Sequence, residues 1–202
     1  MSSASTPVHI RDAVRSLPGY VPGARPNGGR VAKLSSNELP YPPQPGVLSA
    51  LAEAASGANR YPEMAADSLV AVLAERHGVD AERVVVGNGS VALIQHVLDA
   101  VCDEGDVVVV PWRSFEAYPI CIAIAGARAI RVPLTADGRH DVAAMAAAVT
   151  PRTRAVIACT PNNPTGPALS GAELVALLDG VPERALVLVD EAYLDFVTDA
   201  AV

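Results

Sequence analysis

The chain has 202 residues, enough for one sizeable domain with a real core, and a formal net charge of −7 with no basic run, which makes nucleic acid and anionic membrane poor partners. Hydrophobic residues make up 50% but aromatics only 4%, so the core must be built from Ala, Val, Leu and Ile, as suits helices packed on a buried parallel sheet. The N-terminus lacks a charged stretch followed by an apolar one, so no signal peptide is visible, and the longest apolar run, around 120–125, is too short to span a bilayer.

Residues 1–45 carry PGYVPG at 18–23, RPNGGR at 25–30 and PYPPQP at 40–45. Proline and glycine at this density discourage regular structure. The segment reads as an N-terminal arm with little core of its own, which can dock through Tyr20, Leu34 and Tyr41. From residue 46 the pattern becomes regular. Helices are expected over 46–55, 65–77, 90–101, 115–125, 142–149 and 172–178. Leu69, Val72 and Leu73 give the second its spacing and Gly78 its C-cap, whereas Pro119 counts against the fourth. Strands are expected over 84–86, 107–110, 129–132, 155–159 and 186–189. Strands alternating with helices at this spacing imply parallel, right-handed crossovers. In such a sheet ligands sit beyond the carboxyl ends of the strands, so the residues after each apolar run matter most.

GNGS at 87–90 follows the first strand and opens a helix. Glycines let backbone N–H groups approach a ligand, the helix N-terminus adds a positive dipole end, and Ser90 adds a hydroxyl, which together suit a phosphate. It is not a dinucleotide fingerprint, because Ala92 stands where the third glycine should be, nor a P-loop, because no lysine follows. A plain tight turn is the alternative. PWRSFEAY at 111–118 follows the next strand; Phe115 or Trp112 suits stacking on a flat ring, or a core or interface position. TPNNPTG at 160–166 holds Asn162 and Asn163 in a constrained loop, of which an ordinary Asx turn needs only one. ALVLVDEAY at 185–193 delivers Asp190 and Glu191 to the tip of a buried strand. A carboxylate there needs a partner: a helix cap, a salt bridge or a cationic ring nitrogen. A phosphate cradle, an aromatic plate, an amide and an acid at one sheet edge fit a planar, phosphorylated, nitrogen-containing ring, and pyridoxal 5′-phosphate (PLP) has those parts.

GNGS, NNPTG at 162–166 and DEAY at 190–193, in that order and spacing, resemble the fold-type I PLP-dependent aminotransferases of class I/II. LSSNE at 34–38 and NRYP at 59–62 are similar to the histidinol-phosphate aminotransferase branch, and PWRSFEAYP with YVPG at 20–23 to its aromatic amino acid (phenylalanine) members. The departure at Val91 and Ala92, where the branch commonly carries an acidic residue, leaves the cradle intact. The resemblance implies a three-layer αβα, aspartate aminotransferase-like major domain over 46–202, mostly parallel and incomplete at its C-terminus, with the small domain absent. It implies that Gly89, Ser90 and Val91 hold the cofactor phosphate, Phe115 stacks on the ring, Asn163 and Tyr193 bond the 3′-oxygen, and Asp190 pairs with the ring nitrogen. Tyr61 would reach the phosphate of a neighbouring subunit's cofactor in a homodimer, and Tyr20 and Asn37 would line the substrate pocket.

The family's Schiff-base lysine lies downstream of DEAY. The one lysine here, Lys33, sits in the arm and matches no catalytic position. The chain is therefore expected to be the front half of such an enzyme and inactive alone. The implied reaction is amino transfer between an aromatic amino acid and a 2-oxo acid such as 2-oxoglutarate, with histidinol phosphate as the alternative donor. Other readings are a threonine-phosphate decarboxylase, a lysine-less relic that binds a partner or bare PLP, and a nucleotide-binding domain. Cys102, Cys121 and Cys159 read as buried free thiols of a cytoplasmic protein, and the four scattered histidines give no metal site.

Overall fold

Four of the five expected strands form one parallel sheet. In the computed structural model, which describes residues 8–17 and 37–198, these are β1 (Val107–Trp112), β2 (Arg128–Pro133), β3 (Thr153–Cys159) and β4 (Leu186–Asp190). Their order across the sheet is β2-β1-β3-β4, every pair parallel. The helices are α1 (Asp12–Arg15), α2 (Pro45–Ala55), α3 (Asp67–His77), α4 (Gly89–Val101), α5 (Ala117–Ile124), α6 (Val142–Ala147) and α7 (Gly171–Gly180).

The expected strand at 84–86 is corrected. Val84 is extended, with φ −112° and ψ 128°, but a strand also needs a neighbour, and among the described residues this segment joins no ladder. Val85 is 71% exposed. The expected helix at 115–125 is shorter at its start. Tyr118 N–H donates to Phe115 O across a turn, and α5 begins at Ala117. Pro119 is then its third residue, where the missing N–H is one that would have had no helical acceptor.

The described residues fall into two compact units, 8–17 with 87–198 and 37–86. In the first, successive strand residues point to opposite faces. Val108, Val110, Ala155, Ile157 and Cys159 meet Ile94 and Leu98 of α4 and Tyr118, Cys121 and Ile122 of α5. Val109, Val156 and Ala158 meet Met145 of α6 and Leu177 of α7. The result is a three-layer αβα arrangement with both sheet faces covered, which is why the central strands β1 and β3 are mostly apolar, whereas the edge strand β2 carries Arg128 and Arg131. Fully burying one such side chain as Leu177 contributes roughly 1.5–3 kcal/mol. At the amino ends of β1 and β3, the buried Asp106 carboxylate accepts from Arg154 Nε at 2.9 Å and Asp103 N–H at 3.0 Å, and faces Arg152 Nη2 at 3.2 Å.

The second unit, described by itself, contains α2 and α3. Helix α2 starts one residue earlier than expected, at Pro45, and Gly78 (φ +64°) ends α3 as the sequence implies. Helix α2 buries no residue, and Val47, Leu48, Leu51, Leu69 and Val72 are all at least half exposed. The arm expected over 1–45 falls mostly outside the described residues.

Candidate functional site

The connections from β1 and β3, neighbours in the sheet, leave to opposite faces: α5 packs on one and α7 on the other. Such a switch point opens a crevice at the carboxyl ends of the strands. Two loops meet there. Ser114, fully buried after β1, donates from Oγ to Asn162 Oδ1 at 2.6 Å. The Asn162 amide nitrogen donates to Arg113 O at 3.1 Å and Thr165 Oγ1 at 2.7 Å. Asn162 N–H donates to Pro167 O, and its own carbonyl accepts from Gly166 N–H. Asn162 is therefore the buried brace of the loop. Asn163 beside it is half-buried, and its side-chain amide makes no hydrogen bond among the described residues. One asparagine builds the loop and the side chain of the other makes no bond within the described residues, a division the sequence left open.

At the edge of the sheet, a cavity of about 260 Å³ lies between the first turns of α4 and the ends of β3 and β4. Leu93, Ile94, Ile157 and Leu188 give it an apolar wall, and Ser90, Asp190 and Glu191 supply polar groups. The expected phosphate end and the expected acid thus line one space. Gly89 has φ +78°, which suits glycine, and a Cβ there would meet nothing within 4 Å. Its N–H donates to Gly87 O at 2.8 Å and is therefore already satisfied within the turn. By helix geometry the N–H groups of Ser90 and Val91, in the first turn of α4, have no intrahelical acceptor. A Cβ at Gly87 would lie 2.9 Å from Leu93 Cδ2, the tip of a flexible side chain.

Asp190 ends β4 half-buried. Its Oδ2 accepts from Tyr118 Oη at 2.7 Å and its Oδ1 from Ala192 N–H at 3.2 Å. Among the described residues no cation pairs with it. Tyr118 is fully buried. Burial, above all, with Cys159 and Asp190 nearby, pushes its phenol far above the usual range, so it keeps its proton and donates. Its ring meets Phe115 edge-on, with centroids 5.5 Å apart at 90°. Sequence reasoning missed Tyr118. The available signal was its place three residues after Phe115, across the turn that opens α5.

Trp112, the other possible plate, is flanked by cations: the guanidinium carbons of Arg113 and Arg131 lie 4.9 and 4.4 Å from its ring centroid. Tyr193 is half-buried, 6.4 Å from Phe196 between ring centroids. Tyr61 is fully exposed, and Asn37 has φ +50°; both belong to the other unit. Tyr20 lies outside the described residues. Cys102, Cys121 and Cys159 are buried free thiols, as expected. No helix among the described residues is long and apolar enough to cross a membrane.

The family model for aminotransferase class I and II matches residues 30–202. The chain is 51% identical to an aromatic amino acid aminotransferase of Thermobifida fusca, over 99% of this chain and 56% of that protein. It is equally 51% identical to one of Rhodococcus opacus, over 92% of this chain and 51% of that protein. A crystal structure of histidinol-phosphate aminotransferase from Sinorhizobium meliloti in complex with pyridoxal-5′-phosphate superposes with a TM-score of 0.86 at 26% identity, covering 99% of this chain and 55% of that one. The chain thus spans about half the length of the relatives it matches. With the αβα layers and the switch-point crevice in place, the chain belongs to the class I and II aminotransferase family and carries the front part of its fold.

Proposed function

We propose that the protein carrying this chain is a PLP-dependent transferase of amino groups between an aromatic amino acid and a 2-oxo acid such as 2-oxoglutarate. The observation that carries the reading is the placement of Asp190 and Ser90 on one cavity, an acid opposite a helix N-terminus. The residues fit the cofactor: open space at Gly89, the first turn of α4 for the phosphate, and a half-buried carboxylate with no cation of its own among the described residues. Ser90 and the backbone at Val91 would hold the phosphate, with Gly89 shaping the turn; Phe115 would stack on the ring; Asn163 and Tyr193 would bond the 3′-oxygen. Asp190 would face the ring nitrogen and favour its protonated form. When bound, PLP supplies an electron sink for charge at the substrate Cα as its proton leaves. Lys33 matches none of these positions, so the covalent anchor is assigned to a lysine outside these 202 residues. The chain alone is proposed to be inactive.

Tyr20 and Asn37 are proposed to line the substrate pocket. Tyr61, fully exposed, is proposed to reach the cofactor phosphate of a second subunit in a cytoplasmic homodimer. The aromatic donor is favoured by the 51% identity to aromatic amino acid aminotransferases. Histidinol phosphate is the second reading, favoured by the structural likeness across nearly the whole chain. The test supplies the protein and PLP with 2-oxoglutarate and either phenylalanine or histidinol phosphate, and follows glutamate. Faster turnover of phenylalanine supports the first reading; turnover of histidinol phosphate alone replaces it with the second.

A further inference from the structure

We infer that Tyr118 is a positioning residue that braces two cofactor-facing groups at once, the Phe115 plate and the Asp190 acid. The inference rests on the PLP reading above. Phe115 comes from the loop after β1 and Asp190 from the tip of β4, two strands that are not neighbours in the sheet. Their relative placement needs something that spans β3, and Tyr118 does so from the overlying α5. Its ring stands at 90° to that of Phe115 with centroids 5.5 Å apart, and its hydroxyl donates to Asp190 Oδ2 at 2.7 Å.

The brace is stiff for stated reasons. Tyr118 has no exposed surface and stands in the core formed by α4, α5 and one sheet face. Moving it would open a cavity in packed apolar surroundings. Its hydroxyl, once buried, must keep an acceptor, and Asp190 Oδ2 is the acceptor present. Ala192 N–H takes Oδ1 at 3.2 Å. The two donors together fix the plane of the carboxylate, so the direction in which the acid offers its remaining lone pairs is set before any ligand arrives. A cation pair of this kind gains most when the groups are preorganised.

The test compares binding of two probes, PLP and 1-deazapyridoxal phosphate, whose ring lacks the nitrogen. The deaza-to-PLP ratio of Kd values measures the ring-nitrogen contact. Tyr118→Phe keeps the ring and removes the hydrogen bond, and should lower that ratio about tenfold while changing the affinity for the deaza analogue by less than about twofold. Tyr118→Leu removes the edge contact as well and should weaken both probes. Asp190→Asn should collapse the ratio. An unchanged ratio in Tyr118→Phe, beside a collapsed one in Asp190→Asn, overturns the role of Tyr118 and leaves the PLP reading standing. An unchanged ratio in Asp190→Asn overturns the pairing of Asp190 itself and the brace with it. If Tyr118→Phe does not fold, site-specific 3-fluorotyrosine at 118 keeps the ring and strengthens the donor. It should then raise the ratio by about twofold, and no change would overturn the inference.

Discussion

Tyr118 donates its hydroxyl proton to Asp190 Oδ2 at 2.7 Å, joining residues 72 apart in sequence. The bond ties helix α5 to the tip of β4 and gives the strand-end carboxylate a partner that carries no charge. A buried hydroxyl that loses its acceptor costs about 1–3 kcal/mol, whereas one that keeps an acceptor costs less. Asp190→Ala should therefore lower stability by that amount, and Asp190→Asn, which retains an amide oxygen, by less than about 1 kcal/mol. Chemical denaturation of both variants checks the difference.

The two asparagines of the TPNNPTG loop should separate by phenotype. Asn162 holds Ser114, Arg113 and Thr165 together. Asn162→Ala leaves buried partners unsatisfied and should cost about 2 kcal/mol or more in denaturant unfolding. Asn163→Ala removes no bond within the described chain and should shift stability by less than about 0.5 kcal/mol. Its loss should appear as weaker PLP binding in a cofactor titration.

Two glycines of α7 should respond oppositely to alanine. A Cβ at Gly180 would lie 2.7 Å from Ala146 Cβ of α6, a contact that neither helix can relieve by turning a side chain. Overpacking outweighs the better helix propensity, and Gly180→Ala should lose about 1 kcal/mol net. A Cβ at Gly171 meets nothing within 4 Å, and Gly171→Ala should gain about 0.5 kcal/mol. Paired thermal melts decide it.

His140 makes stability depend on pH. It is 6% exposed, and neither ring nitrogen is in hydrogen-bond geometry. Burial, first, holds its imidazole below the ordinary 6.5; Arg139 pushes the same way, while Asn162 and Glu173 oppose. The folded state thus binds fewer protons than the unfolded one. The stability is fully present above 6.5 and is lost as pH falls through the lower folded value. The melting temperature should decline from pH 7 toward pH 5 (about two units across the titration of histidine), and His140→Gln should flatten that decline.

Much of the layered fold was legible because β1, β3 and β4 are largely apolar runs and the helices packed on them repeat an apolar face. The segment 84–86 misled because local apolarity marks an extended chain but not whether a neighbour pairs with it. The site was legible as motifs and not as roles. Nothing in NNPTG says that Asn162 turns inward and Asn163 does not; Ser114, far off in sequence, decides it. Nothing local distinguishes Trp112 from Phe115, because the arginine over Trp112 at 4.4 Å comes from β2. Tyr118 escaped for the same reason: its partner lies at the end of another strand.

The most direct test of the central claim is a crystal structure of the protein grown with PLP. The cofactor phosphate should lie against the Ser90 and Val91 N–H groups at the start of α4, and the ring nitrogen within hydrogen-bond distance of the Asp190 carboxylate. A cofactor bound elsewhere, or with its ring nitrogen turned away from Asp190, would contradict it.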